Sequence, residues 1–336
     1  MTGQAILSGC TAIRKADSCA SPRYCFLENV KCVKGEKEKG APFLPKEMWE
    51  KKMKIIQGTT DIQFDFPTAV TLGKFDGLHR GHQKLIHALK ESSSFGQKTV
   101  VFTFDISPAS LLNGKISPVI TTREEKRRLM AAMGVDILIE YPFTEETSHM
   151  SAEDFVRKIL VGHLCMKTLA VGPDCGFGFQ RSGNVELLER LSVELGYRLD
   201  VIEKEITRKD DRVISSSRVK EELIKGDIEE VNRLLGYLYS VSGQSIDNTG
   251  KVVSAKLKRV KGGWVVAQEE GQNKLVLPEG TYFSKVWFGE KGIRSITKIL
   301  QISSSEGQLL SELNQPISEE NRGFIPEISL IAQYNG

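Results

Sequence analysis

The stretch TAVTLGKFDGLHRGHQKLIHALKES, from Thr68 to Ser92, contains the pattern that decides the fold class. Its β-branched and apolar start predicts a buried strand. Apolar residues from His82 onward recur at the spacing of an amphipathic helix. The loop between them, GKFDGLHRGH, holds three glycines and two of the chain's five histidines. A strand, a glycine-rich turn and a helix in this order predict the first half of a βαβ unit.

The same alternation continues as far as Val201. The predicted strands are TAVTLG, KTVVFTF, VDILIEYPF, KTLAVG and YRLDVIE, and the predicted helices are HQKLIHALKESSS, TTREEKRRLMAAMG, SAEDFVRKILVGHL and NVELLERLSVELG. Strands that alternate with helices predict a doubly wound parallel sheet. Ligands of such sheets bind beyond the carboxyl ends of the strands.

The pattern differs on either side of this region. After Gly236, short strands separated by Gly, Asn and Pro turns predict a small all-β barrel. Residues 1–52 are charged, interrupted by Gly and Pro, and without sustained periodicity. We therefore predict a flexible or non-native leader over residues 1–52, an α/β domain over 53–236 and a β-barrel domain over 237–336.

Composition favours an ordinary globular protein. The chain has 336 residues, 40% of them hydrophobic, and a formal net charge of +3. No apolar run approaches the ~20 residues that span a bilayer, and no broad basic surface indicates nucleic acid. Four cysteines lie in the first 32 residues without a CxxC pair, which leaves a zinc site as the minor alternative to free thiols. We expect a cytoplasmic protein that binds neither membrane nor nucleic acid.

The glycine-rich loop carries residues suited to an anion. His79, Gly81 and His82 are placed at the start of a helix, where free N–H groups and the helix dipole favour negative charge. Gly73 and Gly77 would let the backbone approach a ligand closely. Two alternatives stay open, namely that the histidines form half of a zinc site or are bystanders in the first turn.

A second stretch, RVISSSRVKEELIKGD, has a similar character. Ser215, Ser216 and Ser217 precede a helix and are good N-caps, which is a sufficient structural explanation. Arg218 and Lys220 stand in the first turn, where the helix dipole disfavours cations, so an anionic partner would explain them. Two such helix starts in one domain predict a polyphosphate bound between them.

These two stretches resemble the GxFDGxHxGH and ISSTxxR motifs of the bacterial bifunctional riboflavin kinase/FAD synthetases. The N-terminal module of that family is a Rossmann-like HxGH nucleotidyltransferase. The resemblance implies transfer of AMP from ATP to FMN with Mg²⁺, and it requires no protein metal ligand. The catalytic residues it implies are His79, His82, Ser216, Ser217 and Lys220. The residues it places at ATP are Gly73, Lys74, Phe75, Asp76, Gly81, Ser215 and Arg218, with Asp76 orienting the loop.

Two further stretches are similar to the flavin side of the family. VVFTFDISP is similar to its TFxPHP segment, and VGPDCGFG to its VGxDFxFG segment. The residues that this resemblance places at FMN are Phe104, Pro108, Asp174 and Phe177. Core packing is the alternative for the two phenylalanines. Cys175 replaces an aromatic residue and is interpreted as a packing thiol.

The predicted barrel departs from the family pattern. The kinase module of the family carries a PTxN motif, and no PTxN follows Tyr237. We therefore predict FMN adenylylation without riboflavin kinase activity. The alternatives are a nucleotidyltransferase that acts on another phosphorylated acceptor and a non-catalytic regulator that binds flavin or nucleotide. The intact histidine pair favours an enzyme, because a regulator could lose groups that act only in the transition state.

Overall fold

The computed structural model describes most of the chain from residue 50 onward. The described residues are 50–93, 96–105, 118–246, 252–254, 257–260, 263–267, 273–288, 291–301, 306–313 and 327–334. Most of the predicted leader, its four cysteines and Pro108 lie outside them. Among the described helices, none has the length and apolar character needed to cross a bilayer.

Strands and helices alternate in the first part of the described chain. The strands are β1 Lys54–Gln57, β2 Thr68–Leu72, β3 Lys98–Phe104, β4 Ile137–Tyr141, β5 Met166–Val171 and β6 Arg198–Val201. The helices are α1 Arg80–Ser93, α2 Arg123–Ala132, α3 Glu145–Ser148, α4 Ala152–Asp154, α5 Val185–Leu195, α6 Ser216–Lys225 and α7 Ile228–Leu235.

The six strands form a parallel sheet in the order β1-β4-β3-β2-β5-β6. From β2 the chain winds outward through β3 to β4, and it then crosses to β5 on the other side of β2. The winding direction therefore reverses between β2 and β5, which opens a crevice beyond the carboxyl ends of these strands. The predicted doubly wound sheet is confirmed. The glycine-rich loop after β2 lies at this crevice.

One predicted helix is only partly α-helical. The segment SAEDFVRKILVGHL begins as α4 and continues as a π-helix over Phe155–His163. Its last carbonyls have partners outside the helix. The side chain of Gln63 donates to Gly162 O over 3.4 Å, and Phe64 N–H donates to His163 O over 2.9 Å. The segment before β2 thus donates hydrogen bonds to carbonyl groups that remain unpaired in the last turn of a regular helix.

The second part is antiparallel. Its strands are β7 Ser240–Ile246, β8 Val252–Ser254, β9 Leu257–Val260, β10 Gly263–Ala267, β11 Asn273–Val276, β12 Gly280–Phe288, β13 Lys291–Gln301, β14 Glu306–Leu313 and β15 Glu327–Gln333. Their order is β11-β10-β9-β14-β13-β12-β15-β7-β8, and β8 also pairs with β14. This last pairing joins β14, β13, β12, β15, β7 and β8 into a ring. The predicted all-β barrel is confirmed.

The barrel packs directly on the α/β part. Strand β11 runs beside Val119, with Val119 N–H bonded to Asn273 O and Leu275 N–H bonded to Val119 O, each at 2.8 Å. Lys274, between those two residues, forms a buried ion pair with Glu125 of α2. Backbone and side-chain contacts therefore both connect the barrel to the segment that leads into α2.

Apolar packing also connects the barrel to the α/β part. One cluster of buried side chains includes Phe75 and Leu78 of the glycine-rich loop, Val219 of α6, and Leu275 and Val286 of the barrel. A second cluster covers the other face of the parallel sheet. The site at the end of β2 therefore rests on a core that is shared with the barrel.

Candidate active site

The loop after β2 has an unusual backbone. Phe75 and Leu78 have φ values of 51° and 37°, and both side chains are fully buried. Gly77 has a φ of 80°, and a Cβ at this position would lie 2.9 Å from Ile120 Cδ1. Left-handed residues other than glycine cost about 1–3 kcal/mol each and cluster at binding sites. Burial of the two apolar side chains offsets this cost and fixes the shape of the loop.

The two loop histidines lie face to face. The rings of His79 and His82 are 3.7 Å apart at an interplanar angle of 21°, and Phe75 supports His82 with a ring separation of 5.1 Å. The Nδ1 atoms of both histidines are buried and have no hydrogen-bond partner among the described residues. Buried polar atoms are normally paired, so two orphaned ones side by side indicate that a ligand completes the site.

Both imidazoles are neutral near pH 7. Burial lowers the pKa of His79 to about 4, although Asp76 acts in the opposite direction. Burial lowers the pKa of His82 well below 6.5, and the charges of His79 and Lys126 lower it further. A neutral imidazole donates one hydrogen bond and accepts another. The pair therefore offers donors to an anion without a permanent charge.

Asp76 holds the loop to its neighbours. Its Oδ1 accepts from Ile120 N–H at 2.8 Å and from Thr121 N–H at 3.4 Å, and its Oδ2 lies 2.8 Å from Lys220 Nζ. Gly77 N–H donates to Thr121 Oγ1 over 3.0 Å. These contacts are compatible with the orienting role that the resemblance implies for Asp76, which stays a prediction.

The start of α6 meets the same loop. The Ser216 hydroxyl donates to Asp76 O over 2.8 Å, and Ser215 caps the helix by accepting from Arg218 N–H over 3.3 Å. Lys220 contacts both Asp76 and Pro118 O, the latter at 2.6 Å. Ser216 and Asp76 are 140 positions apart in sequence. The structure therefore brings together the two stretches that the sequence nominates.

Glycines permit this close approach. A Cβ at Gly81 would lie 3.2 Å from the His79 ring and 3.6 Å from Ile214 O, just before the serines. Gly73 and Lys74, by contrast, are exposed at the entrance of the loop. Although the Lys74 side chain is exposed, partial burial of its ammonium group lowers its pKa. Asp76 opposes this effect and Lys220 adds to it.

Arg218, which the resemblance places at ATP, has carboxylate partners within the protein. Its guanidinium is buried and contacts Asp210 at 2.8 Å and Glu230 at 3.0 Å, with further bonds to Thr207 Oγ1 and Arg212 O. The charge of the side chain is therefore balanced inside the protein. These partners come from the loop before α6 and from α7, and the assignment of Arg218 to ATP stays a prediction.

Two of the predicted flavin residues, Phe104 and Phe177, belong to an apolar wall beside this site. Phe104, at the end of β3, is connected to Phe177 through Phe102 and Phe155, with ring separations of 5.9, 5.3 and 6.0 Å along the series. Phe104 and Phe177 are both partly buried at the edge of the second core cluster. The loop after β5 that carries Phe177 and the end of β3 thus share one edge of the sheet. Pro108 lies outside the described residues.

The remaining residues of the loop after β5 are paired or packed. Asp174 is exposed and lies 2.9 Å from Lys204 Nζ. Burial, and then the charge of Asp174, raises the pKa of the Cys175 thiol to about 11, as expected of a packing thiol. The Arg181 guanidinium lies against Gly176, where a Cβ would be 2.8 Å from Nη2. No local sequence signal marks Arg181, because the contact depends on how the loop folds back.

Lys126 of α2 is another residue that sequence reasoning missed. Its pKa is lowered by burial, Glu140 and Asp76 oppose this effect, and Arg123 and Lys74 add to it. The only local signal is a basic residue one turn into a capped helix. The effects of Asp76 and Lys74 on Lys126 come from residues far away in sequence, so no local pattern predicts them.

Comparisons with known proteins agree with the fold and the motifs. The profile of the FAD synthetase family matches residues 61–218. The bifunctional riboflavin kinase/FMN adenylyltransferase of Buchnera aphidicola from Schizaphis graminum is 33% identical over 270 residues, which cover 77% of this chain and 83% of that protein. The Escherichia coli K12 protein of the same name is 32% identical over 258 residues, which cover 74% and 78%.

A solved structure supports the architecture over nearly the whole chain. It is described as a macrolide-efflux protein from Streptococcus pneumoniae, and it superposes with a TM-score of 0.69 at 18% identity. The match covers 84% of this chain and 91% of the other. At this identity the likeness concerns the fold alone.

Proposed function

The chain belongs to the family of bacterial bifunctional riboflavin kinase/FMN adenylyltransferases, and we propose that it makes FAD at the site at the end of β2. In this reaction a phosphate oxygen of FMN attacks the α-phosphorus of ATP, and the bond to the β-phosphate breaks. The products are FAD and pyrophosphate. The FMN phosphate is already anionic at neutral pH, so the reaction needs no strong protein base.

The observation that carries this proposal is the junction of the two motif loops. Ser216 Oγ bonds to Asp76 O over 2.8 Å, and Lys220 Nζ lies 2.8 Å from Asp76 Oδ2. The histidine loop and the serine turn therefore form one continuous surface. A triphosphate in contact with that surface would meet both helix starts, where N–H groups favour anions.

The histidines would act as preorganised donors. As its bond to the α-phosphorus breaks, the oxygen that bridges the α- and β-phosphorus atoms gathers negative charge in the transition state. Donors held in place before that charge develops stabilise it without reorganisation. The stacked rings of His79 and His82 and the fixed loop below them supply such donors. Their pKa values keep both rings neutral at the start of the reaction.

Magnesium would enter with ATP as part of the substrate. In the described residues there is no group of three or more His, Cys, Asp or Glu side chains that could hold a metal ion. The one carboxylate at the centre of the loop, Asp76, is engaged by Lys220 and by two backbone N–H groups. The ion would neutralise phosphate charge, while the protein positions the phosphates.

The flavin would lie against the aromatic wall. Phe104 and Phe177 are partly buried and come from the carboxyl ends of β3 and β5, on either side of β2. Ring faces at this edge would bind the isoalloxazine and direct the FMN phosphate toward the histidine loop. Asp174 and Pro108 are proposed to complete this side.

The barrel is proposed to lack riboflavin kinase activity. The sequence after Tyr237 contains no PTxN motif, which the kinase module of the family uses for magnesium and ATP. Incubation with riboflavin, ATP and magnesium should therefore yield no FMN, and steady formation of FMN would contradict this part.

Chromatography of products tests the main proposal. Purified protein with ATP, FMN and magnesium should form FAD and pyrophosphate in equal amounts, and formation should stop when magnesium is chelated. His82→Ala should lower kcat by at least about tenfold while the protein stays folded, because one oxyanion donor is worth about 10²–10³-fold in rate. Wild-type protein that binds FMN but forms no FAD would refute the proposal. So would turnover only with another phosphorylated acceptor.

A further inference from the structure

Several cations surround the glycine-rich loop, and most of them already have partners. Lys220 pairs with Asp76 at 2.8 Å, and Arg218 pairs with Asp210 and Glu230. The charges of these side chains are thus already balanced by carboxylates of the protein.

Lys126 differs from these residues. It is partly buried, and its ammonium group makes no hydrogen bond or ion pair within the described part of the chain. The carboxylate with the strongest effect on it, Glu140, is bonded to Arg127 Nε over 3.1 Å. A partly buried charge without a partner is costly in a folded protein and is uncommon unless it is used.

The chain path places Lys126 at the candidate site. Helix α2 begins directly after the segment whose N–H groups at Ile120 and Thr121 hold Asp76. Lys126 lies in the first turns of that helix, with its N–H bonded to Thr122 O over 3.0 Å. Its charge lowers the pKa of His82, and Asp76 acts on the pKa of Lys126. The chain path thus brings the first turns of α2 next to the glycine-rich loop, and these electrostatic effects agree with that placement.

The barrel holds this helix in position. The residue before Lys126, Glu125, is in a buried ion pair with Lys274 of β11. Two positions after it, Arg128 Nη1 lies 2.7 Å from Glu327 Oε2 of β15. A lysine on a helix fixed from both sides is preorganised, and preorganised charge binds an anion at a lower entropic cost.

We propose that Lys126 binds the triphosphate of ATP and takes up the charge of the departing pyrophosphate. The inference rests on the proposed function and adds to it a phosphate-binding residue outside both motif loops. In this arrangement His79 and His82 supply neutral donors, whereas Lys126 supplies a full positive charge to the same phosphates.

Three variants test the assignment. Lys126→Met removes the charge at similar length, Lys126→Arg keeps it, and Lys158→Met is the control, since Lys158 is an exposed lysine 3.0 Å from Asp154. The binding of ATP, AMP and adenosine to the full chain is measured by calorimetry. The KM for ATP and the kcat of FAD formation are measured beside it.

Lys126→Met should weaken ATP binding about 10- to 100-fold, the usual range for a charge-assisted hydrogen bond, and should lower kcat as well. Adenosine binding should change by less than about twofold, because adenosine has no phosphate. Lys126→Arg should recover most of the ATP affinity. Unchanged ATP binding in Lys126→Met, or equal loss for adenosine, would overturn the assignment.

Thermal unfolding separates this role from a structural one. Because the apo protein bears the cost of an unpaired charge, Lys126→Met should melt at the same temperature as the wild type or above it. A lower melting temperature in both Lys126 variants would show that the side chain supports the fold instead. The two proposals can also fail separately. If the wild-type protein makes no FAD while Lys126→Met still weakens ATP binding, the proposed function is refuted and the assignment of Lys126 to phosphate binding stands.

Discussion

Replacement of Lys274 by methionine should disrupt the junction between the barrel and α2. Lys274 is 1% exposed and its partner Glu125 is 5% exposed, so both charges are shielded from water. The Glu125 carboxylate would keep a hydrogen bond from Thr122 N–H at 2.9 Å but would lose its counter-charge. A methionine side chain would still fill most of the space beside Tyr239.

The expected loss of stability comes from leaving the buried Glu125 carboxylate without its counter-charge. Removing one member of a buried ion pair typically destabilises a protein by about 3–5 kcal/mol. The Lys274 ammonium also lies 4.9 Å from the centre of the Tyr239 ring, and this cation–π contact would be lost with it. Adding Glu125→Gln should restore most of the loss, because the amide oxygen can still accept from Thr122 N–H and no unpaired charge remains.

Denaturant unfolding, followed by tryptophan fluorescence, measures this effect. Trp264 and Trp287 lie in β10 and β12 and report the barrel. The matched control is Lys98→Met, which removes an exposed lysine 3.8 Å from Asp136 and should cost less than about 1 kcal/mol. A Lys274→Met loss of under about 1 kcal/mol, or a double variant no more stable than the single one, would refute the reasoning.

Three further outcomes are expected. Gly178→Ala should destabilise the protein by more than Gly196→Ala in urea titrations. Both glycines have a positive φ, 72° and 70°, but a Cβ at Gly178 would lie 2.5 Å from Ala152 Cα, whereas nothing lies within 4 Å at Gly196. Equal losses of stability would argue against the clash. Cys175, whose pKa is raised to about 11, should resist iodoacetamide at pH 8 in the folded protein, and peptide mass spectrometry showing rapid labelling there would contradict its burial. Folding lowers the pKa of His79 from 6.5 to about 4, so the unfolded state takes up the proton first and stability is lost as the pH falls below about 6.5. Between pH 7 and pH 5 the free energy of unfolding should fall by about 2 kcal/mol more in the wild type than in His79→Gln. Parallel slopes of stability against pH in the two proteins would exclude this linkage.

Local patterns were sufficient for the fold and for the central loop. The strand TAVTLG, the glycine loop and the helix after it follow from spacing alone, since each depends on neighbours within a few residues. The orienting role of Asp76 also agrees with its contacts, because a carboxylate within a tight loop readily finds backbone N–H groups. The family resemblance, stated from two short motifs, is confirmed by the comparisons.

Contacts between separate elements of the fold account for the placements that local sequence patterns did not predict. Arg218 is a cation in the first turn of a helix, and only the folded chain shows that Asp210 and Glu230 neutralise it. Lys126 has no motif of its own, and the segment that leads into its helix is paired with the barrel at Val119, a contact that no local pattern predicts. Helix propensity and dipole arguments contain no information about such partners.

Because β11 pairs with Val119, a substitution in the barrel can affect the α/β part. The backbone next to Val119 binds Asp76, so a change in β11 should alter the position of the loop that carries the candidate site. Selection for flavin supply would then preserve the barrel even in a lineage where it phosphorylates nothing. A protein truncated before the barrel would lose the strand that pairs with Val119, and the α/β part would then need another partner for this segment.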